Sequence, residues 1–80
     1  MSAWWRKTLS SLDARVLRAT DPLCARSAAR IAREVGCGED VVRSVLGRLR
    51  DRMGVESDLR SRPTVWRRTC YGDVALEHQP

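Results

Sequence analysis

Several features that commonly define a protein class are missing from this chain of 80 residues. No uncharged apolar run approaches the roughly 20 residues that cross a membrane. No secretory hydrophobic core follows the charges of the opening MSAWWRKTLSS, so we expect a cytoplasmic protein. The length allows one small domain with one modest core.

Groups that carry catalysis or bind metals are also scarce. The single histidine, His78, lies near the end of the chain, and no serine or cysteine has an evident general base. We therefore expect no enzyme. Cys24, Cys37 and Cys70 form no CxxC pair and leave one cysteine over, which argues against a disulfide framework and a zinc site. No metal or cofactor is expected, and small buried or half-buried thiols are the favoured interpretation.

Lysine is almost absent, whereas arginine is abundant. Lys7 is the only lysine among 15 basic residues, and the formal net charge is +5. Arginine suits bidentate contacts to phosphate or guanine, but codon usage in a GC-rich genome would produce the same preference. We favour the codon explanation, because charge statistics alone indicate neither fold nor function.

Apolar residues recur with helical spacing in three segments. The first, TLSSLDARVLRAT at residues 8–20, ends at Asp21, which precedes a proline. Ser27 is the predicted N-cap of the second helix, and Gly36 ends it. The third helix is predicted over about residues 39–53. The residues predicted to face inward are Leu9, Leu12, Val16, Leu17, Ala28, Ile31, Ala32, Val35, Val42, Val45, Leu46, Leu49 and Met53.

The most informative stretch is SAARIAREVGCGEDVVRSVLGRLRDRM, residues 27–53. Ala32 lies four residues before Gly36. Val42 and Val45 follow that glycine at six and nine residues. A small residue lets two helices approach closely, a glycine can adopt the left-handed conformation that ends a helix, and two branched residues hold the second helix. This spacing resembles the helix-turn-helix of DNA-binding proteins.

Two short apolar stretches follow the third helix. VESDL at residues 55–59 and TVWRRT at residues 64–69 are separated by RSRP, which predicts a β-hairpin with an arginine-rich tip. We expect Trp66 to lie in the core, since a lone aromatic in a strand usually points inward. Residues 71–77 are predicted to form one last helical turn, after which the end frays.

Three helices followed by a hairpin resemble the winged helix-turn-helix domain of transcription regulators. The resemblance rests on three segments. They are LDARVL at residues 12–17, ARIAREVGCGEDVVRSVLGRLRDRMGV at residues 29–55 and RPTVWRRTCYG at residues 62–72. It implies an α+β, mainly α fold: a three-helix winged helix-turn-helix with a C-terminal β-hairpin wing. The expected organisation is a tryptophan-rich extension at 1–8, this domain at 9–72 and a short tail at 73–80.

The resemblance also implies how such a domain acts. The third helix would enter the major groove of double-stranded DNA, and the wing would contact the backbone or the minor groove. The residues expected to contact DNA are Ser27, Arg30, Arg43, Ser44, Arg48, Arg60, Arg62, Arg67 and Arg68. The four wing arginines carry +4 within nine residues. Their alternative role is to protect a hairpin edge against aggregation.

An acidic pair departs from the pattern of that family. Glu39 and Asp40 open the third helix, where carboxylates would meet phosphates. They could instead complement the helix dipole, or one could accept a hydrogen bond from a cytosine amino group. Arg43 could contact guanine or phosphate, or pair with Glu39. Arg48 lies further along, where a solvated flank is the favoured alternative.

Two functions from different classes remain open. The first is a small winged-helix DNA-binding protein that regulates transcription or replication. The alternative is a winged-helix module that binds a protein partner as an adaptor, an inhibitor or an assembly factor, favoured by the acidic face and by Trp4 and Trp5. Adjacent tryptophans cannot both face one small core, so we expect them to bind a partner, most simply a second copy in a homodimer.

Overall fold

The computed structural model describes residues 9–79, which form an α+β fold that is mainly helical. The elements in chain order are α1 (Ser11–Ala19), β1 (Arg26–Ser27), α2 (Ala28–Val35), α3 (Glu39–Asp51), β2 (Val55–Asp58), β3 (Val65–Arg68) and α4 (Cys70–Glu77). No helix in this part of the chain has the length and apolar character needed to cross a membrane.

The three strands form one antiparallel sheet in the order β1-β3-β2. β2 and β3 make a hairpin that pairs Val55 with Arg68 at one end and Asp58 with Val65 at the other. β1 pairs with the opposite edge of β3, through Trp66 and Val65. Because β1 runs directly into α2, this pairing fixes the start of α2 against the hairpin.

Hydroxyl side chains begin three of the helices in residues 9–79. Ser10, Ser27 and Thr69 are the N-caps of α1, α2 and α4, and each accepts a hydrogen bond from an N–H two or three residues into its helix. α2 ends at Gly36, whose φ of +79° is left-handed and whose N–H donates to the Ala32 carbonyl. The predicted roles of Ser27 and Gly36 are confirmed.

The core lies between the first three helices and the inner face of the sheet. Its fully buried residues include Leu17, Ile31, Val42 and Leu46, and Trp66 is only 8% exposed. Most positions predicted to face inward from helical spacing are buried, which confirms the periodicity of the three helices.

The end of α3 differs from the prediction. The helix ends at Asp51 and not near residue 53, and Met53 takes a left-handed φ of +65°. Gly54 is buried, and its N–H donates to the Leu49 carbonyl at 2.8 Å. Met53 therefore turns away from the core and is 59% exposed, so its predicted burial is wrong.

Two further elements correct the predicted order of three helices and a C-terminal hairpin. β1 lies between α1 and α2, and its two residues are too short to show a strand alternation. The hairpin is not C-terminal, because α4 follows it where one last helical turn was predicted over residues 71–77, and this longer helix packs against α1 and β3. Ala75 is fully buried. Gln79 accepts a hydrogen bond from the Leu9 N–H, which joins the two ends of the described chain.

The loop between α1 and β1 is held by one carboxylate. The N–H groups of Leu23 and Cys24 donate to Asp21 and, aided by Arg26 and Arg68, hold the pKa of its carboxyl below the ordinary value. Arg26 also approaches Glu34 on α2 at 3.2 Å. These contacts fix the conformation of the loop, although its Leu23 is exposed, and thereby position β1 beside the sheet.

We predict that Gly72→Ala destabilises the protein by about 1–3 kcal/mol, the usual cost of overpacking. An added Cβ would overlap the Gly54 carbonyl oxygen and lie 2.8 Å from Cγ of Arg68. The control is Gly47→Ala, where a Cβ meets nothing within 4 Å and should stabilise α3 by roughly 0.5–1 kcal/mol. Urea unfolding followed by circular dichroism measures both. A G72A variant as stable as the wild type would contradict this packing.

Candidate functional site

A concave surface lies where the hairpin meets the first turns of α2 and α3. This cleft has a volume of about 310 Å³ and is lined by Ser27, Ala28, Ala29, Glu39, Arg43, Pro63, Thr64 and Trp66. It therefore joins three segments that the sequence analysis expected to touch one ligand: the start of α2, the start of α3 and the hairpin loop.

Trp66 forms the floor of the cleft. The β1–β3 pairing places Arg26 beside it and Ser27 beside the preceding valine. The guanidinium of Arg50 on α3 lies 5.7 Å from the centre of the indole ring, within cation–π range. The indole thus contacts α3 as well as the sheet, which keeps the hairpin close to that helix.

The start of α2 borders the cleft with its positive end. Ser27 accepts a hydrogen bond from the Arg30 N–H at 3.3 Å, so the Ser27 side chain is committed to capping. The first-turn N–H groups have no carbonyl partner within the helix, which makes this end attractive to anions. Arg30 is exposed, and its Nε lies 3.7 Å from Glu34.

Three charged side chains cluster at the start of α3. Nη2 of Arg43 lies 2.5 Å from Glu39 Oε1, and Nη1 lies 3.3 Å from Asp40 Oδ1. All three side chains are exposed, and Asp40 is 97% exposed. The pairing of Arg43 with Glu39, which the sequence analysis left open, is present and extends to Asp40. Ser44 is exposed on the same helix but does not line the cleft.

Two other arginines expected to contact DNA also have acidic partners. Arg48 donates to Asp13 on α1 at 2.9 Å. Arg67 pairs across the hairpin with Glu56, with its Nε 2.7 Å from the carboxylate. Exposed pairs of this kind are worth little, about 0.2–1 kcal/mol. They lower the local positive charge without removing these side chains from solvent.

Arg68 corrects the expectation of four arginines at the hairpin tip. It lies at the base of the hairpin with a side chain only 16% exposed, and its Nε is 2.7 Å from Asp73 Oδ1 without the geometry of a hydrogen bond. Nη1 donates to the Leu17 carbonyl at 3.1 Å. Arg67 is also outside the tip, in β3 itself. The tip carries two arginines, and Arg68 holds α1, β3 and α4 together.

Arg60 and Arg62 are the arginines of the loop between β2 and β3. Both are exposed, and neither side chain pairs with an acid within residues 9–79. The loop continues into Pro63 and Thr64, which line the cleft. Free positive charge therefore lies on the chain segment that leads directly to the cleft rim.

The tryptophan pair and the three cysteines were the other residues singled out in the sequence. Trp4 and Trp5 lie outside the described residues. Cys37 is half-buried as expected, whereas Cys24 and Cys70 are exposed free thiols. Within residues 9–79 no three His, Cys, Asp or Glu side chains are grouped to hold a metal ion.

The sequence analysis missed part of the cleft. It assigned Trp66 and Ala28 to the core alone, and it gave no role to Ala29, Pro63 or Thr64. A proline before a strand and small residues at a helix start are weak signals taken separately. Only the pairing of β1 with β3 brings them together.

Comparison of the chain with protein-family models, with curated proteins and with solved structures gives no match. A fold of this kind can serve unrelated functions. The functional argument therefore rests on the geometry and charge of the chain's own residues.

We predict that Arg68→Ala lowers the free energy of unfolding by about 1–3 kcal/mol, because a half-buried carbonyl and a carboxylate lose their partner. The matched control is Arg67→Ala, which removes the same charge from the neighbouring exposed position and should cost at most about 1 kcal/mol. Urea unfolding measures both variants. Equal losses in the two would contradict the structural role of Arg68.

Proposed function

We propose that residues 9–79 form a winged helix-turn-helix domain that binds double-stranded DNA, as a small regulator of transcription or replication. α2 and α3 would be the helix-turn-helix, and β2 and β3 the wing. The observation that carries the proposal is the shared cleft: the start of α3 and the arginine-bearing hairpin loop border one concave surface. A duplex that contacts one would contact the other.

The dimensions of α3 suit a major groove. Its 13 residues give a length of about 20 Å at roughly 1.5 Å per residue, and a helix with its side chains is about 10–12 Å across, which matches the groove width of about 12 Å. The exposed side chains of its first half are Val41, Arg43 and Ser44 together with the acidic pair. In the proposed complex Arg43 and Ser44 approach base edges, and Arg48 lies further along the helix.

Backbone contacts in the proposed complex come from two places. Arg60 and Arg62 on the hairpin loop would contact phosphates or the minor groove, because their charges are not engaged within the described chain. The start of α2, capped by Ser27 and flanked by Arg30, would offer its N–H groups to a phosphate. Arg67 could join after leaving its exposed pair with Glu56, whereas Arg68 is assigned to the fold.

We predict that replacing both loop arginines, R60A/R62A, weakens binding to a labelled random duplex and reduces the slope of log K against log salt by about two, since each phosphate contact contributes roughly 0.9. The measurement is fluorescence anisotropy at several salt concentrations.

The matched control is R18A/R33A, which removes two exposed arginines outside the cleft. These two side chains also pair with no acid in residues 9–79. The control should leave the salt slope near that of the wild type. An unchanged slope in R60A/R62A would exclude the hairpin loop from the interface.

The second candidate function is binding of a protein partner. Arg43 pairs with two carboxylates, so the start of α3 keeps a net negative charge. Val41 beside this cluster is 46% exposed, and an acidic surface with an exposed apolar side chain favours a protein partner. Absence of duplex binding even at low salt would favour this function. A homodimer through Trp4 and Trp5 stays a proposal, which sedimentation of the W4A/W5A variant tests.

A further inference from the structure

The acidic cluster at the start of α3 has a geometry that constrains Arg43. Glu39 and Asp40 precede Arg43 by four and three residues, so all three lie on neighbouring positions of one helical turn. The contacts of 2.5 Å and 3.3 Å engage both terminal nitrogens of the guanidinium. Any phosphate that Arg43 contacts must therefore approach a guanidinium that lies beside two carboxylates.

The cluster also has a net negative charge. Two carboxylates surround one guanidinium, all exposed, at the end of α3 that borders the cleft. The hairpin loop on the other rim carries Arg60 and Arg62 without acidic partners in the described chain. A duplex in the cleft would thus be attracted at one rim and repelled at the other.

Helix stabilisation alone would explain acids at this position. Gly38, the N-cap of α3, makes no side-chain cap hydrogen bond, and negative charge in the first turn complements the helix dipole. That role acts on the stability of the free protein and does not require Arg43. A role in DNA binding would appear instead in affinity and salt dependence, and it would require Arg43.

We infer that Glu39 and Asp40 form a specificity gate: they hold Arg43 on the helix and repel phosphates, so that sequence-independent DNA binding is suppressed. This inference rests on the proposed DNA-binding function. A phosphate at Arg43 meets a guanidinium whose charge two carboxylates already offset, and those carboxylates repel it. In a preferred base sequence, a guanine can accept hydrogen bonds from Arg43 and a cytosine amino group can donate one to a carboxylate. These contacts replace the ion pairs that Arg43 makes in the free protein.

The test is the variant E39Q/D40N, which keeps side-chain size and removes both charges. We expect about tenfold tighter binding to a random duplex and a salt slope steeper by about one, because Arg43 becomes free to contact one phosphate. Adding R43A to that variant should abolish the gain in slope and leave only the smaller gain in affinity that comes from the lost repulsion. The single variant E39Q provides the same readout with a smaller effect if the double variant does not fold, as judged by circular dichroism.

The matched control is D51N/E77Q, which makes the same charge change at exposed carboxylates that pair with no arginine in residues 9–79. An equal gain in this control would overturn the inference, since net charge would then explain the effect. A wild type that binds while E39Q/D40N gains nothing would overturn the inference and leave the proposed function standing.

Failure of the proposed function gives a different pattern. If neither the wild type nor E39Q/D40N binds duplex at low salt, both the DNA-binding function and the gate are overturned. If E39Q/D40N binds the random duplex and the wild type does not, Glu39 and Asp40 suppress sequence-independent binding completely, which supports the inference. Each pattern is read from the same anisotropy titrations.

Discussion

The pairing of β1 with β3 is the interaction on which the rest of the structure depends. Two residues, Arg26 and Ser27, join the central strand opposite Trp66 and Val65. Because Ser27 is also the N-cap of α2, this pairing sets the direction in which α2 begins. It brings the hairpin against the helices, covers Trp66 and creates the cleft. Without it, the sheet would be a two-stranded hairpin supported only by its packing against α3 and α4.

Charge in this protein is arranged by local neutralisation and not by a uniform basic face. Arg43 and Arg67 contact acids on their own helix or hairpin, and Arg48 contacts α1. Each exposed pair contributes little to stability, but together they confine unengaged positive charge near the cleft to the hairpin loop. The net charge of +5 therefore indicates less about the location of an interface than the distribution of carboxylates does.

Helical periodicity was predictable because each helix repeats its apolar face over two or more turns, as the burial of Ile31, Val42 and Leu46 shows. β1 was not, since two residues carry no alternation. Arg68 was misplaced because a cation beside Arg67 in the sequence faces the other side of the strand, towards Leu17 and Asp73. The cleft could not be predicted, because its rims come from segments that only long-range pairing brings together.

The start of α3 places stability and binding in opposition. Gly38 supplies no capping side chain, so the acids of the first turn are the groups that complement the unpaired N–H dipoles there. Of the two carboxylates, Glu39 lines the cleft, and both engage Arg43. A serine at the N-cap would stabilise the helix without placing charge on that rim. With glycine there, stabilisation of α3 and repulsion of an anionic ligand come from the same two side chains.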